Sequence, residues 1–185
     1  MGQEGGGWPG TLEDVAAAAD AVVGLEAVDA GRVATVGHSA GGHLALWLAA
    51  RHRLPAGAPG ADPRLRPCGA VSQAGVSDLL AGARAGLGSG ACQALIGGEP
   101  NDVPERYVVA SPAALLPLGV PQLLVHGTRD YLVPAAQSRD YAAAARVVGD
   151  AVDLIELPEA DHFDVIEATD PAWTAVVGWL RDHLG

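Results

Sequence analysis

Apolar residues fall at two alternating periods along the chain, and this alternation predicts strands exchanging with helices. Leu12, Val15, Ala19 and Val22 recur at helical spacing, so a helix beginning near Thr11 buries one face. Thr11 is expected to cap it, with Asp14 three residues on in a capping-box-like arrangement, and Asp29-Ala30-Gly31 is expected to end it. Residues 32–36 read as a short β-branched strand that stops at Gly37. From Ala40 the pattern is helical again through Leu44, Leu46, Trp47 and Leu48, with Arg51 and His52 near the far end. A loop rich in Pro, Gly and Ala follows over residues 54–67. Further strands are expected at 69–73, 122–126 and 152–157, with helices over 135–148 and from Pro171 to about His183. The last helix is expected to turn Trp173, Val176, Val177 and Leu180 inward. Residues 77–118 form an irregular, cap-like helical excursion broken by glycines and by Pro100, Pro104, Pro112 and Pro117. The whole predicts a single α/β domain over residues 1–185, after a glycine-rich leader at 1–10. Its mostly parallel sheet is flanked by helices as a three-layer sandwich.

Composition changes this picture little. Apolar residues make up 49% of the chain and aromatic ones only 4%, so the core is built from Ala, Val and Leu. The net charge of −11 is scattered, and all 11 basic residues are arginine. Such a chain repels nucleic acid and anionic membranes, so neither is expected as a partner. Cys68 and Cys92 are far apart and read as reduced thiols. No apolar run approaches the roughly 18–20 residues that span a bilayer. The amino terminus lacks the basic and apolar regions of a signal peptide, and a cytoplasmic location is expected.

The candidate chemistry begins at Gly37-His38-Ser39-Ala40-Gly41, which lies between an expected strand and an expected helix. That context marks a nucleophile turn, with small residues letting strand and helix approach and Ser39 Oγ held clear of the sheet edge. Gly37 and Gly41 are assigned the close approach, while Ala40 and Gly42 keep the helix entrance open. A serine hydroxyl needs a base to take its proton, and the base needs a carboxylate to orient it. Asp130 follows the third strand and His162 the fourth, which brings both to the carboxyl edge of the sheet. Asp161 and Asp164 also flank His162, but Asp130 ranks ahead because it alone follows the third strand. Of the other histidines, His38 is expected to pack beside the turn, His43 and His52 to lie on the helix after the serine, and His126 to be a satisfied core residue near the site. His183 is terminal, and no pair has metal-ligand spacing.

The residues Gly37-His38-Ser39-Ala40-Gly41-Gly42-His43, His126-Gly127-Thr128-Arg129-Asp130 with Val133-Pro134, and Asp161-His162 resemble prolyl-oligopeptidase-type α/β-hydrolases, most of all the small esterase and arylformamidase-like members. The resemblance runs from about Trp8 to the carboxyl terminus. It implies an α/β-hydrolase fold with Ser39, Asp130 and His162 as nucleophile, orienting acid and general base. It also implies hydrolysis of an ester or amide of a small molecule through an acyl-enzyme, with neither metal nor cofactor.

Family members carry strands ahead of the helix that begins near Thr11, including a His-Gly-Gly type segment that contributes to the oxyanion hole. This chain has no such segment and is expected to be amino-terminally shortened, with the Ala40 N–H as its remaining oxyanion donor. Losing the other donor costs about 2.7–4 kcal/mol of transition-state stabilisation. The strand at 32–36 then becomes a sheet edge open to pairing, which makes a homo-oligomer an expected outcome. Leu79, Leu80, Leu87, Leu95 and Ile96 of the excursion are candidates for an acyl pocket or, equally, for packing on the sheet. Two alternatives to a small-substrate esterase or amidase stand beside it. One is a prolyl-oligopeptidase-type peptidase; the other is a catalytically impaired fragment or binding module that retains the triad.

Overall fold

The computed structural model describes residues 6–168 and 171–184. Four parallel strands form one sheet in the order β1-β2-β3-β4: β1 Ala34–His38, β2 Gly69–Gln73, β3 Gln122–Gly127 and β4 Val152–Leu157. Register places Val36 beside Val71, Ser72 beside Leu124 and Val125 beside Ile155. Seven α-helices accompany the strands among the described residues: α1 Gly10–Ala21, α2 Ala40–Ala50, α3 Leu79–Arg84, α4 Ala91–Ile96, α5 Pro104–Ala110, α6 Ala136–Val147 and α7 Pro171–Leu184.

Alternation along the strands sorts side chains into two cores, as period-two geometry requires. Ala70, Leu124 and Val152 face one core with Leu12 of α1, Leu46 and Trp47 of α2, and Tyr141 and Ala145 of α6. Val71, Leu123 and Val125 face the other, with Val165 and with Ala172, Val176 and Trp179 of α7. Helices therefore cover both faces of a parallel sheet, the expected three-layer α/β arrangement. Among the described residues β1 pairs only with β2, and its central Val36 is 41% exposed.

Several local expectations are corrected. Pro9, not Thr11, precedes the first helix, and Thr11 Oγ1 instead accepts from the Gly7 N–H at 2.8 Å. Trp8 packs on the core and carries the Arg106 guanidinium 5.5 Å above its ring, so residues 8–10 do not behave as a leader. Residues 1–5 of that segment lie outside the described residues. The first helix ends at Ala21, well before Asp29, because Asp29 caps a separate 3-10 turn through its bond from the Gly31 N–H. That turn takes up Arg32, so β1 starts two residues later than expected and runs on to His38. In α7 it is Trp179 that is buried, while Trp173 is 36% exposed. A shift of three residues keeps Trp179 on the same helical face as Ala172 and Val176.

One buried ion pair ties α1 to α2. Arg51, just past α2, donates from Nη1 and Nη2 to the two carboxylate oxygens of Asp20 at 3.0 and 2.9 Å. Asp20 Oδ1 also accepts from the backbone N–H groups of Arg64 and Leu65. The Arg51 guanidinium, outweighing the cost of burial, holds the Asp20 carboxyl below its ordinary range.

Candidate active site at the carboxyl edge of the sheet

The turn from β1 into α2 is built by what its residues lack. A Cβ on Gly37 would overlap the Gly41 carbonyl, so glycine alone lets β1 run this close under α2. A Cβ on Gly42 would come within 2.7 Å of Ser72 Oγ and 2.9 Å of Gly75 Cα, which lets α2 settle on the end of β2. Gly41, by contrast, faces open space, so the close approach assigned to Gly41 belongs to Gly42. Between these contacts Ser39 takes φ 55° and ψ −120°, a conformation that costs on the order of 1–3 kcal/mol and persists only where its surroundings impose it. The Ser39 N–H donates to the Gln73 carbonyl at 2.9 Å, and the Ser39 carbonyl accepts the first helical bond from His43. Its hydroxyl caps no N–H of α2. Ala40 is the exposed first residue of that helix, where backbone N–H groups have no intrahelical acceptor.

Asp130 and His162 are held by what they do bond. The His162 Nδ1–H donates to Asp130 Oδ2 at 2.6 Å, with the Asp130 side chain fully buried. Asp130 Oδ1 accepts from the N–H groups of Leu132 and Val133 at 2.9 and 2.8 Å. The loops after β3 and β4 are joined backbone to backbone. Thr128 N–H donates to the Leu157 carbonyl at 3.0 Å and Arg129 N–H to the Ala160 carbonyl at 2.9 Å. A Cβ on Gly127 would strike the Ala160 carbonyl. Glu159 N–H bonds Thr128 Oγ1, and the Glu159 carboxylate pairs with Arg129. Asp161 and Asp164 are spent on their own loop: Asp161 Oδ1 accepts from the N–H groups of Phe163 and Asp164, and Asp164 Oδ2 from that of Asp161.

The turn and the base loop meet through His38. Its Nε2–H donates to the His162 carbonyl at 2.8 Å, and the two rings lie 4.5 Å apart. Burial pushes the His38 pKa down, and its bond to that carbonyl pulls the other way. Among the described residues no hydrogen bond joins Ser39 Oγ to His162, whose ring is held through its Nδ1 side. Gln73 adds a second tie, since its side-chain N–H donates to the Val165 carbonyl behind the His162 loop. Phe163 lies edge-on to the His162 ring at 5.2 Å and is 52% exposed.

The remaining histidines separate by environment. His43 is fully buried on α2 and donates from Nε2 to the Ala110 carbonyl at 2.7 Å; burial lowers its pKa to about 4. His52 lies in a 3-10 turn after α2, not on the helix itself, and bonds the Ala49 carbonyl. His183 bonds the Trp179 carbonyl and stacks on that ring at 4.0 Å. His126 is buried, as expected of a core histidine, but it also reaches Asp130, with Nε2 3.2 Å from Oδ2. The clue in the sequence was the four-residue spacing of His126 and Asp130 across a strand end. Gln73 offered another, as a polar residue closing an otherwise small and apolar strand. Among the described residues, no group of three or more His, Cys, Asp and Glu side chains is placed to hold a metal ion. No described helix is long and apolar enough to cross a membrane.

A cleft of about 370 Å³ opens in the segment after β2, among Asp78, Leu80, Arg84, Tyr107 and Val108. None of Ser39, Asp130 or His162 lines it. Of the five residues considered for an acyl pocket, Leu80 borders this cleft. Leu79 and Ile96 are buried in the core, and Leu87 and Leu95 pack against it.

Comparison with known proteins bears on the fold and the family. The chain is 41% identical over 70 residues to Esterase LipQ of Mycobacterium tuberculosis, an alignment covering 37% of this chain and 17% of that protein. It is 28% identical over 179 residues to the acylamino-acid-releasing enzyme of Rattus norvegicus, covering 94% of this chain and 24% of that one. The chain thus spans less than a quarter of the length of these curated relatives. Among solved structures, a truncated form of a carbohydrate esterase from gut microbiota superposes with a TM-score of 0.83 at 20% identity. That match covers 96% of this chain and 70% of the other, and establishes the α/β-hydrolase fold. The model of the prolyl oligopeptidase family matches residues 9–185, and the chain belongs to that family.

Proposed function

We propose that the chain is a serine hydrolase that cleaves a carboxylic ester or amide of a small substrate through an acyl-enzyme on Ser39. The observation that carries this reading is the 2.6 Å bond from His162 to buried Asp130, made at the same sheet edge as the strained Ser39 turn. In the first step Ser39 Oγ attacks the substrate carbonyl carbon while His162 Nε2 takes the hydroxyl proton. Asp130 keeps the imidazole in the tautomer that has its lone pair on Nε2, and stabilises the imidazolium that forms. The oxyanion of the tetrahedral intermediate accepts from the Ala40 N–H at the amino end of α2, where the helix dipole also favours negative charge. His162 returns the proton to the leaving oxygen or nitrogen as the carbon–leaving-group bond breaks. Water then repeats the sequence on the acyl-enzyme and releases the acid. Serine–histidine contacts in unliganded hydrolases are often long and tighten on the reacting complex, which fits the open Ser39–His162 leg.

Labelling with a fluorophosphonate probe, alongside hydrolysis of p-nitrophenyl acetate and butyrate, tests the reading. Labelling that disappears in Ser39→Ala supports it, whereas a folded chain that neither labels nor hydrolyses is a fragment or binding module. The second reading is a peptidase releasing acylated amino acids. It is favoured by the alignment with the acylamino-acid-releasing enzyme over 94% of the chain. Faster cleavage of an N-acetyl-aminoacyl anilide than of the esters would select it.

A further inference from the structure

One buried group at the site has no part in these steps. His126, on β3 and without solvent exposure, places Nε2 2.9 Å from the Val133 carbonyl and 3.2 Å from Asp130 Oδ2. Both neighbours are acceptors, so Nε2 carries the proton and divides it between them. On the opposite side of the ring Nδ1 lies 2.7 Å from Ser138 Oγ of α6. A neutral imidazole protonated on Nε2 has its lone pair on Nδ1, so the Ser138 hydroxyl donates there. Burial, outweighing the Val133 carbonyl and Asp130, pushes the His126 pKa down and keeps the ring neutral. Asp130 Oδ2 therefore accepts the His162 N–H and has the His126 Nε2–H 3.2 Å away, as the weaker branch of its bond to Val133, while Oδ1 is filled by two backbone N–H groups.

We propose, on the reading that His162 is the general base, that His126 is a positioning residue that shares Asp130 Oδ2 with His162 and so tempers the basicity of His162. The carboxylate stays in place without His126, because two backbone N–H groups and the loop contacts at Gly127 already hold it. What His126 changes is the electron density on the shared oxygen. Each donor on one carboxylate oxygen weakens that oxygen's pull on the other donor's proton. Removing the His126 N–H is therefore expected to strengthen the pull of Oδ2 on the His162 proton. Ser138 tunes the strength of the effect, because its hydroxyl, donating to Nδ1, draws electron density from the ring and makes Nε2–H the stronger donor.

The other groups around the pair leave this role to His126. His38 faces His162 from β1, and burial pushes its pKa down. Asp161 and Asp164 face their own loop backbone. Arg129 and Glu159 pair with each other at the exposed edge. Glu156, beside His126 in the register of β4, is paired with Arg139 of α6. No other described charge bonds the Asp130 carboxylate.

The test is NMR titration of the His162 ring in the ¹⁵N-histidine-labelled full chain, set beside the acid limb of kcat/KM. His126→Phe keeps a ring and removes both nitrogens. The His162 midpoint is expected to rise by about half to one pH unit, roughly a three- to ten-fold gain in proton affinity. The acid limb is expected to move by the same amount at unchanged KM. His126→Gln restores an N–H near the Nε2 position and is expected to bring both back towards wild type. A folded His126→Phe chain with an unmoved or lowered His162 midpoint overturns the proposal. Should that variant not fold, Ser138→Ala decides: an upward shift of a few tenths of a unit supports the proposal and no shift overturns it. The two readings fail separately. A chain that never hydrolyses a substrate removes the hydrolase reading, while the NMR midpoint still reports on His126.

Discussion

The two halves of the candidate site are held by opposite means. Around Ser39 the structure depends on missing atoms: Gly37 and Gly42 let backbone lie against backbone, and the serine is compressed into a conformation it would otherwise leave. Around Asp130 and His162 it depends on filled polar valences, with three hydrogen bonds and the close His126 Nε2–H converging on one buried carboxylate. Steric compression tolerates no added carbon but asks little of side-chain chemistry. A saturated hydrogen-bond network asks for particular atoms and loses function in graded steps as they are removed.

Mutations sharpen that contrast. The largest effect is expected from Ser39→Ala, with a loss in kcat of roughly 10⁵–10⁶-fold at an unchanged thermal midpoint, measured on a p-nitrophenyl ester. Asp130→Asn follows, at about 10⁴-fold in kcat, because an amide no longer stabilises the imidazolium or enforces its tautomer. A burst-phase experiment should place that loss in acylation. Gly37→Ala acts on stability, by about 4 kcal/mol or more, since its Cβ meets backbone that cannot rotate away; urea unfolding measures it. Equal stability of Gly37→Ala and wild type would mean the turn is not compressed at all.

The fourth expected effect concerns pH on the nucleophile side. His43 has its pKa lowered to about 4 by burial, against an ordinary value of 6.5. The unfolded chain therefore binds a proton that the folded chain refuses, and stability falls as pH drops from 6.5 towards 4. The loss totals roughly 3 kcal/mol over that window and levels off below it. Urea midpoints at pH 7 and 4.5 should fall apart in wild type and draw closer in His43→Gln. Smallest of all is Gly41→Ala. Open space at that position predicts a change of under about 1 kcal/mol, tending to stabilise because alanine is the better helix residue. A large loss there would show that position 41 shares the compression of position 37.

How much of this was legible in the sequence follows the same division. Strands at 69–73 and 152–157 stand out because each is short, carries apolar residues at its centre and is bounded by turn residues. Ser39, Asp130 and His162 stood out because each directly follows a strand that reaches one edge of the sheet. Contacts made across the fold left weaker traces. Gly42 was passed over for Gly41 because a motif marks which glycines recur, not which one faces a neighbouring strand. His126 read as core because its burial is visible in the pattern, while its reach to Asp130 depends on how the loop turns back at Val133. Asp20 and Arg51, 31 positions apart, carry no local signature, because their pairing arises only once α1 and α2 pack. Trp173 and Trp179 sit on one amphipathic helix, where a small error in phase exchanges inside for outside.

The contact of Gly127 with the Ala160 carbonyl has a bearing on how such a protein is re-engineered. The loops bearing Asp130 and His162 leave adjacent strands and are stitched together backbone to backbone within a few residues. Loop libraries that vary 158–161 alone lengthen one half of a stitched seam and are expected to yield mostly unfolded or inert clones. Libraries confined to the segment after β2, around the cleft between Asp78 and Tyr107, leave that seam whole.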